Sequence, residues 1–105
     1  MSAKTMVLAD LPELCPGTTR PGIERVLQIL DQQPATDRSG LSVASALMPI
    51  VPGISARLSD LSGDEVDDYL RVLRGAATFV LQLWTTNGRA PRYASVKTAV
   101  EAIEG

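Results

Sequence analysis

The sequence contains no histidine and a single cysteine, Cys15, among its 105 residues. Lacking histidine, it lacks the commonest general base and the commonest zinc ligand. One cysteine excludes a disulfide framework within the chain, cysteine-rich zinc sites and iron–sulfur clusters. Aromatics are scarce too: one Phe, one Trp and two Tyr, 4% of the residues. The core is therefore expected to be aliphatic. No run of about 20 apolar residues occurs, so no transmembrane helix is expected. The apolar run from Met6 to Ala9 is too short for the core of a secretory signal. These absences lead to the expectation of a cytoplasmic protein. Neither sign of charge dominates, with ten Lys+Arg against twelve Asp+Glu and a formal charge of −2. That balance argues against nucleic-acid binding driven by bulk charge.

What is present is 45% apolar residues on a chain of the length of one domain. The expected fold is all-α, one domain over residues 1–105. It would be a small bundle of four or five helices across residues 21–104, with one long central helix at about 63–86 and an N-terminal arm. A domain of this size buries only about 60–70% of the surface its unfolded chain exposes. Small aliphatic domains commonly gain stability by burying a further face in an oligomer.

Residues 1–20 carry Pro12, Pro16 and Gly17 and no clean helical period. They read as an arm or a short extended segment, with a strand at Thr5 to Leu8 as one form. Met6, Val7, Leu8, Leu11 and Leu14 argue that this arm is tied down. Pro21 suits a first helical turn. Ile23, Val26, Leu27 and Leu30 then follow at i, i+3, i+4 and i+7, widened by Ile29. Pro34 ends that helix, and residues 34–40 read as a polar loop. Leu41, Ala44, Leu47 and Met48 form a short apolar stripe. Pro49 and Pro52-Gly53 interrupt it, so helices at about 41–48 and 53–60 are expected, the second with Ile54, Leu58 and Leu61 as its apolar edge.

The strongest helix signal spans residues 63–86. Ser62-Gly63-Asp64-Glu65 matches a capping box. Asp64, Glu65, Asp67 and Asp68 crowd the positive end of the helix dipole, and Asn87-Gly88 supplies a left-handed stop. Val66, Tyr69, Leu70, Leu73, Ala77, Val80 and Trp84 line one face. Val72, Ala76, Phe79 and Leu83 line a neighbouring one. Between Val72 and Trp84 only Arg74, Thr78 and Gln82 are clearly polar. A helix apolar nearly all round is buried on most sides, and so short a chain has few elements with which to surround it. Val72, Ala76, Phe79, Val80, Leu83 and Trp84 are therefore the expected protein interface, covered by a second copy or another protein. Ser95 caps a last expected helix bearing Val96, Ala99, Val100 and Ile103.

Sites of chemistry are few. The run Asp64 to Asp68 lacks the spaced oxygens and glycine turn of a calcium loop, and cap chemistry accounts for it. Arg71 and Arg74, one turn apart, read as a solvated stripe in which Arg71 can pair with Asp67 or Asp68. Arg89, Arg92 and Lys97 with Tyr93 form a small basic patch able to hold a phosphate or carboxylate. Nucleophile triads need a base, and Lys4 and Lys97 are the only lysines; neither lies in a recognisable motif. No catalytic, cofactor-binding or metal residue is expected. Cys15 reads as a small, semi-buried residue.

Val51-Pro52-Gly53-Ile54-Ser55-Ala56-Arg57-Leu58 resembles the start of the recognition helix in winged-helix repressors of the HxlR class. The resemblance covers about eight residues. It implies a helix-turn-helix over residues 41–61 that reads DNA. The chain departs from that pattern beyond the match, with a break at Ser62-Gly63 and a long apolar helix where those repressors place a β-hairpin wing. Arg57, beside Asp60, is the only cation of the candidate recognition helix, whereas groove readers present several such groups.

The expected function is thus a non-enzymatic helical interaction module. It would be a homodimeric regulator that binds and sterically blocks a partner protein, for example an antiactivator sequestering a transcriptional regulator. The alternatives are a DNA-binding regulator using residues 41–61, and a small-ligand carrier or enzyme with a pocket between helices.

Overall fold

A computed structural model describes residues 2–32 and 40–103. It is a compact all-helical fold of six helices, with no strand among the described residues. The expected loop at residues 34–40 lies outside the described residues except for Gly40.

Helix α1 (Ala3–Leu14) replaces the arm expected at residues 1–20. Ser2 caps it, its hydroxyl accepting from the Thr5 N–H at 3.2 Å. Met6, Val7, Leu11 and Leu14 are buried. Pro12 sits near the end of α1, where few amides beyond it depend on an unbroken ladder. The prolines and Gly17 obscure this helix in the sequence, although Val7, Leu11 and Leu14 stand at i, i+4 and i+7. Tertiary burial of one side forms it, since most helical stability in proteins comes from packing.

Helix α1 also binds the ends of two other helices. Lys4 Nζ donates to the Glu101 carbonyl at 3.0 Å, at the negative end of α6 (Tyr93–Glu101). Glu13 Oε1 accepts from the Gly53 N–H at 2.6 Å, at the positive end of α4 (Pro52–Ser59). Helix α4 has no cap from its adjoining residue, Val51. A Cβ on Gly53 would lie 2.5 Å from Glu13 Oε2, so glycine is what admits the carboxylate.

Helix α2 (Arg20–Asp31) starts at a Thr19 cap and buries Ile23, Val26, Ile29 and Leu30. Helix α3 (Leu41–Leu47) packs against α4. Ser55, buried in α4, ties the two by donating to the Ala44 carbonyl at 2.6 Å. The stripe expected on α3 divides: Ala44 and Leu47 are buried with Val43, while Leu41 and Met48 are 59% and 58% exposed.

Helix α5 (Asp64–Asn87) has 24 residues. At 1.5 Å per residue it is about 36 Å long, the same as the longest extent of the molecule, 36 Å. Its start differs from the expected capping box. Gly63, at φ 58°, is the cap residue and no side chain bonds there. Its end is as expected, with Gly88 at φ 69° donating to the Trp84 carbonyl at 2.8 Å. Helices α1, α2 and α6 all pack on α5. At Gly75 a Cβ would meet Ile103 Cδ1 at 2.8 Å, so glycine lets the tail after α6 lie close. Helix α6 begins at Tyr93 on an Arg92 cap with no side-chain bond, so Ser95 lies inside it instead of capping it.

Candidate partner-binding surface

The expected interface residues separate into two groups. Val72, Ala76 and Val80 are 0% exposed, sheltered by the chain's own helices. For these three the expectation of a protein interface is corrected: α1, α2 and α6 supply the cover assigned to a second molecule. Phe79, Leu83 and Trp84 are half-buried. Leu83 and Trp84 touch the core from its edge.

The division follows from length and angle. The buried residues of α5 run from Val66 to Val80 on one arc. Leu83 and Trp84 continue that arc one turn later, where no residue of α5 is fully buried. Phe79 lies four residues beyond Gly75, on the side that Ile103 covers. The wide apolar circumference of α5 is thus mostly core, and only its last turns reach solvent.

Beyond α5 the chain turns through Gly88 to Arg92 and enters α6. Leu83, Asn87, Arg89, Pro91, Arg92 and Ser95 are among the residues around a concavity of about 280 Å³. Arg89, Arg92 and Lys97 are exposed, and Tyr93 is 38% exposed. The structure therefore brings the basic patch beside Leu83, a neighbourhood the sequence did not reveal. Pro91 is buried, and its carbonyl accepts from Cys15 Sγ at 3.0 Å, which pins the turn to the end of α1. Burial pushes the Cys15 thiol up from its ordinary range.

A second polar cluster lies on the side of α4. Tyr69, fully buried, donates to Asp10 Oδ2 at 2.7 Å. Arg57 Nε reaches the same oxygen at 3.3 Å. Burial, and then the hydrogen bond to Asp10, push the Tyr69 phenol well above its ordinary value. The bond to Asp10 likewise raises Arg57. The group joins α1, α4 and α5 as a structural tie. It also engages Arg57, the cation that the repressor resemblance would aim at DNA, with a carboxylate of the chain itself. Asp10 and Glu13 were missed in the sequence because they stood in a segment read as an arm.

One further groove has its charges satisfied internally. An open groove of about 580 Å³ between α2 and α5 includes Leu27 and Leu81. Its charged members already have partners: Glu24 with Arg20, Arg25 with Gln28, and Asp31 with Arg74. Among the described residues no cluster of carboxylates and thiols could hold a metal ion, and no helix is long and apolar enough to cross a membrane. Compared with protein-family models, curated proteins and solved structures, the chain matches none.

Proposed function

We propose that this chain is a non-enzymatic helical interaction module that regulates a partner protein by covering part of its surface. The observation that supports this reading is the half-buried strip Phe79, Leu83 and Trp84 at the end of a helix whose other apolar residues, Leu81 apart, are core. Large apolar and aromatic side chains at the rim of a stable scaffold are the usual anchors of an interface, and Trp above all. The action is steric: a rigid helix end occupies a groove or helix face that the partner needs for its own contacts, as an adaptor, inhibitor or antiactivator would.

The expected homodimer loses its main reason, since Val72, Ala76 and Val80 need no second copy. What remains for a two-fold contact is the same short strip. Light scattering over a range of concentrations tests this, with Phe79→Asp and Leu83→Asp as controls. Assembly that both variants abolish supports pairing through the strip. A monomer at every concentration leaves a different protein as the strip's only proposed occupant.

A further inference from the structure

Between Tyr69 and Val100 the sequence has five cations, Arg71, Arg74, Arg89, Arg92 and Lys97, and not one Asp or Glu. Arg74 is engaged by Asp31, and Arg71 also has a partner. Arg89, Arg92 and Lys97 are exposed, and no carboxylate among the described residues pairs with them. In a chain of net charge −2, the α5–α6 end thus carries three cations without a carboxylate partner among the described residues. Its concavity combines two of these cations with Leu83. The volume, about 280 Å³, lies below the range of small-molecule pockets, about 300–1,000 Å³, and is of a size for one anchoring side chain.

We infer that the α5–α6 end binds an acidic segment of a partner protein, with an apolar side chain against Leu83 and flanking Asp or Glu carboxylates on Arg89 and Arg92. This rests on the interaction-module reading and adds the partner's chemistry. Arginine is suited to the role, because its planar fork pairs with a carboxylate through two parallel hydrogen bonds. Lys97, one helical turn after Tyr93, extends the cationic surface along α6. The occupant is not the same end of a second copy, which would bring identical cations into contact. Nor is it the chain's own acidic run at Asp64 to Asp68, whose apolar member Val66 is fully buried. Three cations on an otherwise acidic molecule make a short track for a nucleic-acid backbone, where affinity grows with each phosphate neutralised.

The test is selection of random twelve-residue peptides on the full chain, followed by fluorescence anisotropy with a labelled selected peptide. Enrichment of Asp and Glu around a Leu, Ile or Phe is expected. Arg92→Glu and Arg89→Glu each weaken binding about tenfold or more. Raising salt from about 0.1 M to about 1 M weakens it further, as the screening length falls from about 10 Å to about 3 Å. Circular dichroism confirms that these exposed substitutions leave the fold intact, which keeps the test open should Leu83→Asp fail to fold. Peptides without acidic enrichment, bound equally by the arginine variants but lost in Leu83→Asp, overturn the inference and leave the interaction reading standing. No peptide from the selection, or binding indifferent to Leu83, Arg89 and Arg92 alike, overturns both. Binding of a 20-nucleotide DNA probe or anionic vesicles in place of peptides, abolished by Arg92→Glu, also overturns the inference.

Discussion

Tyr69 buries its whole side chain in the core and donates its hydroxyl to Asp10 at 2.7 Å, linking the longest helix to the first. Asp10→Ala leaves that hydroxyl without its acceptor. A buried polar group stripped of its partner costs about 1–3 kcal/mol, and urea unfolding is expected to show a loss in that range. Tyr69→Phe removes donor and hydroxyl together, so Asp10 keeps Arg57, and the loss is expected to be smaller. Arg57→Ala is expected to cost least, because that pair is partly solvated.

The same phenol predicts an alkaline weakness. Its folded pKa lies above its unfolded value, which is about 10. Its contribution is therefore complete below about pH 10 and is lost as pH rises further, because the unfolded chain releases the proton while the folded one keeps it. The slope approaches about 1.4 kcal/mol per pH unit. Urea midpoints between about pH 9 and 11.5 are expected to fall less steeply in Tyr69→Phe. Cys15, also raised by burial, adds a loss of the same sign that begins at lower pH and that Cys15→Ala removes.

Charge placed along α5 is expected to have two different outcomes. Val72→Asp or Val80→Asp puts a carboxylate in a fully buried position and is expected to unfold the chain. Leu83→Asp lies at the edge and is expected to cost about 1–2 kcal/mol while the helical spectrum persists. Circular dichroism melts of the four single variants, with Phe79→Asp as the second edge position, check this.

Glu13 and Gly53 form one interaction across 40 positions of sequence. Glu13→Ala and Gly53→Ala are each expected to cost about 1 kcal/mol, the value of a lost helix cap. The double variant is expected to cost little more than the larger single loss, because both changes remove the same contact. A double-mutant cycle in urea measures it.

The helices with a regular apolar period were legible. Ile23, Val26 and Leu30 announce α2, and Val96 with Val100 announces α6. Helix α5 was legible in extent but not in surroundings. Periodicity reports that a face is apolar and carries no record of which molecule covers it, so Val72, Ala76 and Val80 were assigned outward when α1, α2 and α6 cover α5. Helix α1 reads as an arm because Pro12, Pro16 and Gly17 signal breaks, although Val7, Leu11 and Leu14 stand at the helical spacing i, i+4 and i+7. Missing it removed one wall of the core, and that missing wall made α5 look too apolar for a single chain. Of the residues expected at an interface, Phe79, Leu83 and Trp84 are the ones that are not fully buried. Their adjacency to Arg89 and Arg92 depends on the turn at Gly88, which only coordinates place.

Lys4 reaches Glu101, 97 positions away, and Tyr69 reaches Asp10, 59 positions away. Helix α1 is thus held mainly by elements far along the sequence. Contacts between such distant positions slow folding relative to a bundle of neighbouring hairpins. Moving α1 by circular permutation to follow α6 would bring partners Lys4 and Glu101 close along the chain, and refolding of that rearranged polypeptide should be the faster.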